Sequence, residues 1–101
     1  NKGNDMFGLI VKITAAEGQR DALIAILLDG VEALPGCISY IVSEDNRDPE
    51  AIIISETWVD EAHHKASLEI ADVRDRIAKA RPMMAGFEQI ASMTPRGGKG
   101  I

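Results

Sequence analysis

Three isoleucines in a row, Ile52, Ile53 and Ile54, constrain what this 101-residue chain can fold into more than any other feature. β-Branched side chains crowd a helix and pack well on a pleated surface, so AIIISETWV over residues 51–59 predicts a buried strand. Side chains alternate along a strand. Ile52, Ile54, Glu56 and Trp58 therefore share one face, and Ile53, Ser55, Thr57 and Val59 the other. The chain then passes Asp60, a natural N-cap, into a helical segment carrying both histidines, His63 and His64. A carboxylate, the one indole and two imidazoles meet at this strand-to-helix corner, so a site is expected there.

The rest of the chain fits around that strand. Residues 7–14 (FGLIVKIT) predict a first strand, and residues 21–34 a helix with an apolar stripe at Leu23, Ile26, Leu27, Val31 and Leu34. Pro35-Gly36 stops that helix. Residues 37–43 predict the second strand, and the polar loop EDNRDPE leads to the third. A short helix over residues 60–68 precedes another opening at Asp72, with Asp75 in its first turn and Val73, Ile77 and Ala80 inward. Residues 87–93 predict a last strand. The order β-α-β-β-α-β, its second helix split, predicts an α+β ferredoxin-like fold: one antiparallel sheet with helices on one face. A single domain is expected over residues 6–94, with a polar extension at 1–5 and a glycine-rich tail at 95–101. Helices cover only one face, yet the first and third strands are apolar on both. A second copy of the sheet is the shortest way to bury the other, so a homodimer is expected.

Composition excludes several functions. A net charge of −5 argues against nucleic acid, whose binders carry a basic face. No apolar run approaches the roughly 20 residues of a membrane-spanning helix, and no signal peptide is visible. The single Cys37 rules out an internal disulfide and fits a reducing cytoplasm.

The candidate residues carry different chemistry. Adjacent histidines point about 100° apart on a helix, so His63 and His64 cannot chelate one ion. Glu61 and His64 form a single E-x-x-H pair, whereas a di-iron bundle needs several such contributions. No bound metal is expected. Glu56, if buried, would have a raised pKa and serve as an acid or base; otherwise it is a structural acceptor for backbone or for Arg74. Trp58 is either core or a flat pocket wall. Tyr40, the only phenol, can donate from the second strand. The tail PRGGKG lacks the spacing and the strand-to-helix setting of a phosphate loop.

The stretches FGLIVKI, LPGCISYIVSED and ISETWVDEAHHKASL, with the closing TPRGGKGI, together resemble the antibiotic biosynthesis monooxygenase (ABM) family, specifically its small quinol monooxygenase branch. The most specific part is E-x-W followed five residues later by His, here Glu56, Trp58 and His63, supported by Pro35, Gly36 and Tyr40. The likeness runs over nearly the whole chain from Met6. It implies a dimeric α+β barrel with a pocket between sheet and helices in each subunit. It also implies oxygenation of aromatic quinols or polycyclic phenols without metal or flavin. On this chain it implies Trp58 as pocket wall and His63 as a polar pocket group. Many members carry a further His where this chain has Ser67. Haem-degrading relatives use an Asn on the first strand and a His on the later helix, and this chain has neither.

The leading expectation is a cofactor-independent monooxygenase acting with O₂ on a quinol-like or phenolic aromatic. Histidine can accept a phenol proton near neutral pH, so His63 is expected as base, with Glu56 orienting it. Trp58, Tyr40, His64, Arg74 and Ser67 are expected to line or support the pocket. The alternatives are a non-catalytic ligand-binding or stress-related barrel, and an isomerase of the related dimeric barrels using Glu56 or His63 on an activated carbon.

Overall fold

A computed structural model describes residues 5–101. The elements run β1 (Phe7–Ala15), α1 (Arg20–Leu28), β2 (Cys37–Glu44), β3 (Ala51–Trp58), α2 (Glu61–Ser67), α3 (Ala71–Ala80) and β4 (Met84–Met93). The four strands form one antiparallel sheet in the order β2-β3-β1-β4. The helices pack on one of its faces, the ferredoxin-like α+β arrangement with the second helix divided into α2 and α3. The polar extension expected at 1–5 falls, for residues 1–4, outside the described residues.

The core lies between the sheet and the helices. Leu9, Val11 and Ile13 of β1 meet Ile52 and Ile54 of β3, under Leu23 and Leu27 of α1 and Ala80 of α3. The register pairs Phe7 with Trp58, Leu9 with Glu56 and Val11 with Ile54. Glu56 and Trp58 therefore lie on the same helix-covered face as the core isoleucines. Tyr40 pairs with Glu56 from β2 and joins that face.

Three boundaries differ from the sequence expectation. The first helix ends at Leu28 and does not reach residue 34. Gly30 follows at φ 75°, a left-handed conformation that ends helices, and a single 3₁₀ turn carries Val31–Ala33. The last strand begins at Met84 and not at residue 87, because the 3₁₀ turn Arg81–Met83 holding Pro82 delivers the chain directly to the sheet edge. Its pairing with β1 slips by one residue at Ile10/Val11, leaving Ile90 unpaired.

The opposite sheet face is more mixed than the run of isoleucines suggests. Ile10, Ile41 and Ile53 lie there among Lys12, Ser55 and Thr57. Lys12 approaches Asp45 at 3.9 Å and Asp48 at 3.8 Å, anchoring the β2–β3 loop. No helix of the described residues is long and apolar enough to cross a membrane.

Candidate active site

The corner after β3 forms as its sequence dictates. Asp60 leaves the strand in an extended conformation and its side chain accepts the backbone N–H of His63 at 2.8 Å, capping α2. The same oxygen lies 2.7 Å from His63 Nδ1. These contacts, with the His63 backbone N–H as the largest influence, hold the Asp60 carboxyl below the usual carboxylate range. The His63 side chain covers Gly36: a Cβ there would fall 2.5–2.6 Å from the ring and 2.8 Å from the His63 Cβ, and Gly36 itself sits at φ 79°. His63 thus clamps α2 to the start of β2, and its side chain is 48% exposed. The expectation that His63 enters the pocket is corrected: the cap at Asp60 sets the helix phase, and one residue further is about 100° of rotation.

His64 takes the inward position. Its ring lies 5.3 Å from that of Phe7 and 5.5 Å, edge-on, from that of Trp58. Its Nε2 is 4.0 Å from Glu56 Oε1, an ion-pair distance and not a hydrogen bond. The Trp58 indole N–H donates to the same Glu56 oxygen at 2.9 Å. Glu56 is only 10% exposed. Burial pushes its carboxyl above the ordinary value, and the Trp58 N–H and the His64 charge oppose that rise. Tyr40 beside it is pushed up to about 12 by burial and then by the Glu56 charge, so its hydroxyl remains a donor. Burial likewise raises the Cys37 thiol, whose Sγ–H points to the Ser39 carbonyl at 3.3 Å. Ser67 is buried and donates to the His64 carbonyl at 2.6 Å, which commits its hydroxyl to the helix.

These groups line a cavity of about 500 Å³ between the sheet and α2 and α3, a size typical of small-molecule sites. Leu9, Val11, Ile54, Trp58, Val73 and Ile77 form much of its wall, so it is largely apolar. Glu56, Tyr40, His64 and Ser67 reach it. His63 and Arg74 do not, and Arg74 is exposed. Its expected place is taken by Arg76, which sequence reasoning missed. The signal was present, since Arg76 sits three residues after Val73 and four before Ala80, on the inward stripe of α3. His64 was expected at the pocket, and its place on the inward face, ahead of His63, could have been read from Ser67 and Leu68 three and four residues later. A larger groove of about 660 Å³ between α1 and α3 contains no aromatic and no imidazole. Among the described residues no three His, Cys, Asp or Glu side chains gather as a metal-ligand set.

The fold has counterparts. The profile of the antibiotic biosynthesis monooxygenase family matches residues 6–79. The chain belongs to that family. A candidate antibiotic biosynthesis monooxygenase of Chloroflexus aurantiacus J-10-fl is 48% identical, with 92% of this chain and 95% of that one covered and a TM-score of 0.85. ABM structures from Nitrosomonas europaea (14% identity, TM-score 0.82, 92% of each chain covered) and Caulobacter crescentus (16%, 0.82, 95% and 94% covered) share the fold. No protein of curated function matches the chain.

Proposed function

We propose that this ABM protein is a monooxygenase that oxidises a quinol-like or phenolic aromatic with O₂, as a homodimer in the cytoplasm. The observation that carries the reading is the Trp58–Glu56–His64 cluster inside an otherwise apolar cavity: an indole N–H on Glu56 at 2.9 Å, and an imidazole 4.0 Å from the same oxygen. His64, held between Phe7 and Trp58, takes the phenol proton. Glu56 faces the imidazolium that results and stabilises it. The phenolate so formed reduces O₂ by one electron, and the radical pair closes a new C–O bond on the ring. Loss of water from the hydroperoxide leaves a quinone: one phenol and one O₂ become one quinone and one water. The substrate supplies all four electrons, so the reaction requires no resident cofactor. The apolar wall keeps bulk water from the intermediates.

The homodimer is supported by the outer sheet face, which carries Ile10, Ile41 and Ile53, with Ile41 55% exposed. A second sheet laid on this face would bury them.

The test is oxygen uptake with a panel of reduced quinols and phenols, with product identified by absorbance and mass. Uptake stoichiometric with quinone formation is expected. Aromatic binding without oxygen uptake would give the site to a binding module, and solvent-proton exchange into an unoxidised ligand would give it to an isomerase.

A further inference from the structure

The geometry points to a substrate that carries an anionic group, most simply a ring carboxylate, held by Arg76 beside the Tyr40 hydroxyl and separate from the hydroxyl that faces His64. This rests on the phenol-oxidising reading of the same cavity.

Arg76 projects from α3 into the cavity wall and is half-buried. Its Nη2 packs against Gly30, where an added Cβ would stand 3.2 Å away. Tyr40, Arg76 and Glu56 line the same cavity, and the Arg76 charge acts on the Tyr40 hydroxyl against that of Glu56. A guanidinium offers five donors in a rigid fork suited to a planar carboxylate. Among the described residues Arg76 forms no ion pair within 4.0 Å and no side-chain hydrogen bond. Arg76 also lines the neighbouring groove between α1 and α3, which Asp29, Asp72 and Asp75 line too, none of them forming an ion pair with it within 4.0 Å. A partly desolvated cation with its fork unfilled, on the wall of an apolar cavity, is a built anion receptor.

The cavity therefore has two poles. Glu56 and His64 accept a proton and disfavour a negative charge placed against the carboxylate. Arg76 and the Tyr40 O–H favour one. An aromatic ring bearing a hydroxyl and a carboxylate has one orientation that satisfies both. Arg81, the other cation on the cavity, is exposed at the far end where β4 begins.

The experiment compares binding of 2,5-dihydroxybenzoate with its methyl ester, without oxygen, by quenching of the single Trp58. Wild type is expected to bind the acid at least about tenfold more tightly than the ester, a difference of about 1.4 kcal/mol. Added salt should weaken only the acid. Arg76→Gln should abolish the preference, and Arg76→Lys, which keeps charge but loses the fork, should restore part of it. Arg81→Gln should retain it. Equal binding of acid and ester by wild type would overturn the proposal, as would an Arg76→Gln protein that melts normally and weakens both ligands alike. Tight acid binding by a protein that consumes no oxygen with any quinol supports the anion site while removing the oxygenase reading. Oxygen uptake with the ester but not the acid does the reverse.

Discussion

Trp58 donates its indole N–H to Glu56, two residues back on the same strand, at 2.9 Å. Strand alternation puts both side chains on one face, and the covering helices make that face dry. A single sequence element thus builds both the aromatic wall and the carboxylate it steers. Trp58 is only 1% exposed. Trp58→Ala should cost about 3–5 kcal/mol, a large share of the 5–15 typical of a domain, and so act on folding before it acts on ligand. Trp58→Phe keeps the ring and removes the donor. It should cost about 1–3 kcal/mol for the unpaired buried carboxylate and move the Glu56 titration further up, as thermal melts and a carboxyl-resolved NMR titration would show.

The pH dependence of stability should carry the mark of Glu56. Its carboxyl is raised above the ordinary 4.5 by burial. The folded chain then holds the proton more tightly than the unfolded one, and stability falls as pH rises through that window. Gln cannot titrate, yet its oxygen can still accept the Trp58 N–H. The melting temperature of Glu56→Gln relative to wild type should therefore climb between about pH 4 and about pH 7. A difference that stays flat across this range would mean that Glu56 is not desolvated.

The two histidines should separate by function. His64→Ala should lower oxygen uptake at least about a hundredfold, the scale of a lost general base, while aromatic binding stays within about tenfold. His63→Ala should leave turnover within about a factor of three, because its side chain lies outside the cavity. Steady-state oxygen-electrode kinetics on both variants decide it, and the opposite pattern would refute the helix phase described for α2.

His63 should appear instead in stability. Gly36→Ala places a methyl on the His63 ring at a left-handed position. The backbone conformation alone costs about 1–2 kcal/mol for a residue with a Cβ, and the clash adds to it. In a His63→Ala background the contact with the ring is removed, leaving the backbone part and the close approach to the Cβ of residue 63. A double-mutant cycle by thermal unfolding should therefore give less than additive destabilisation. Additive costs would show that the ring does not cover Gly36.

Light scattering at micromolar concentration should give twice the monomer mass. Ile41, 55% exposed in the single chain, sits on the outer sheet face, and Ile41→Asp should shift the species toward monomer. A wild-type monomer under these conditions would contradict the homodimer.

Several features follow from local chemistry alone. The β-branched run at residues 52–54 can only be comfortable in a strand, Asp60 can only be comfortable as a cap, and alternation puts Glu56 with Trp58. The order of elements then leaves few ways to arrange one sheet. Tertiary structure decided which way α2 and α3 face. Two adjacent histidines look alike to a periodicity argument, and the choice of His64 over His63 depends on how the Asp60 cap seats the helix against Gly36 and Phe7. Arg76 replaced Arg74 for the same reason, since the packing of Val73 and Ala80 on the sheet fixes the rotation of α3. The early end of α1 turned on the left-handed Gly30. Isoleucine composition also overstated how apolar the outer sheet face is, because which residues share that face with Ile10 and Ile53 is settled by cross-strand register, a long-range property.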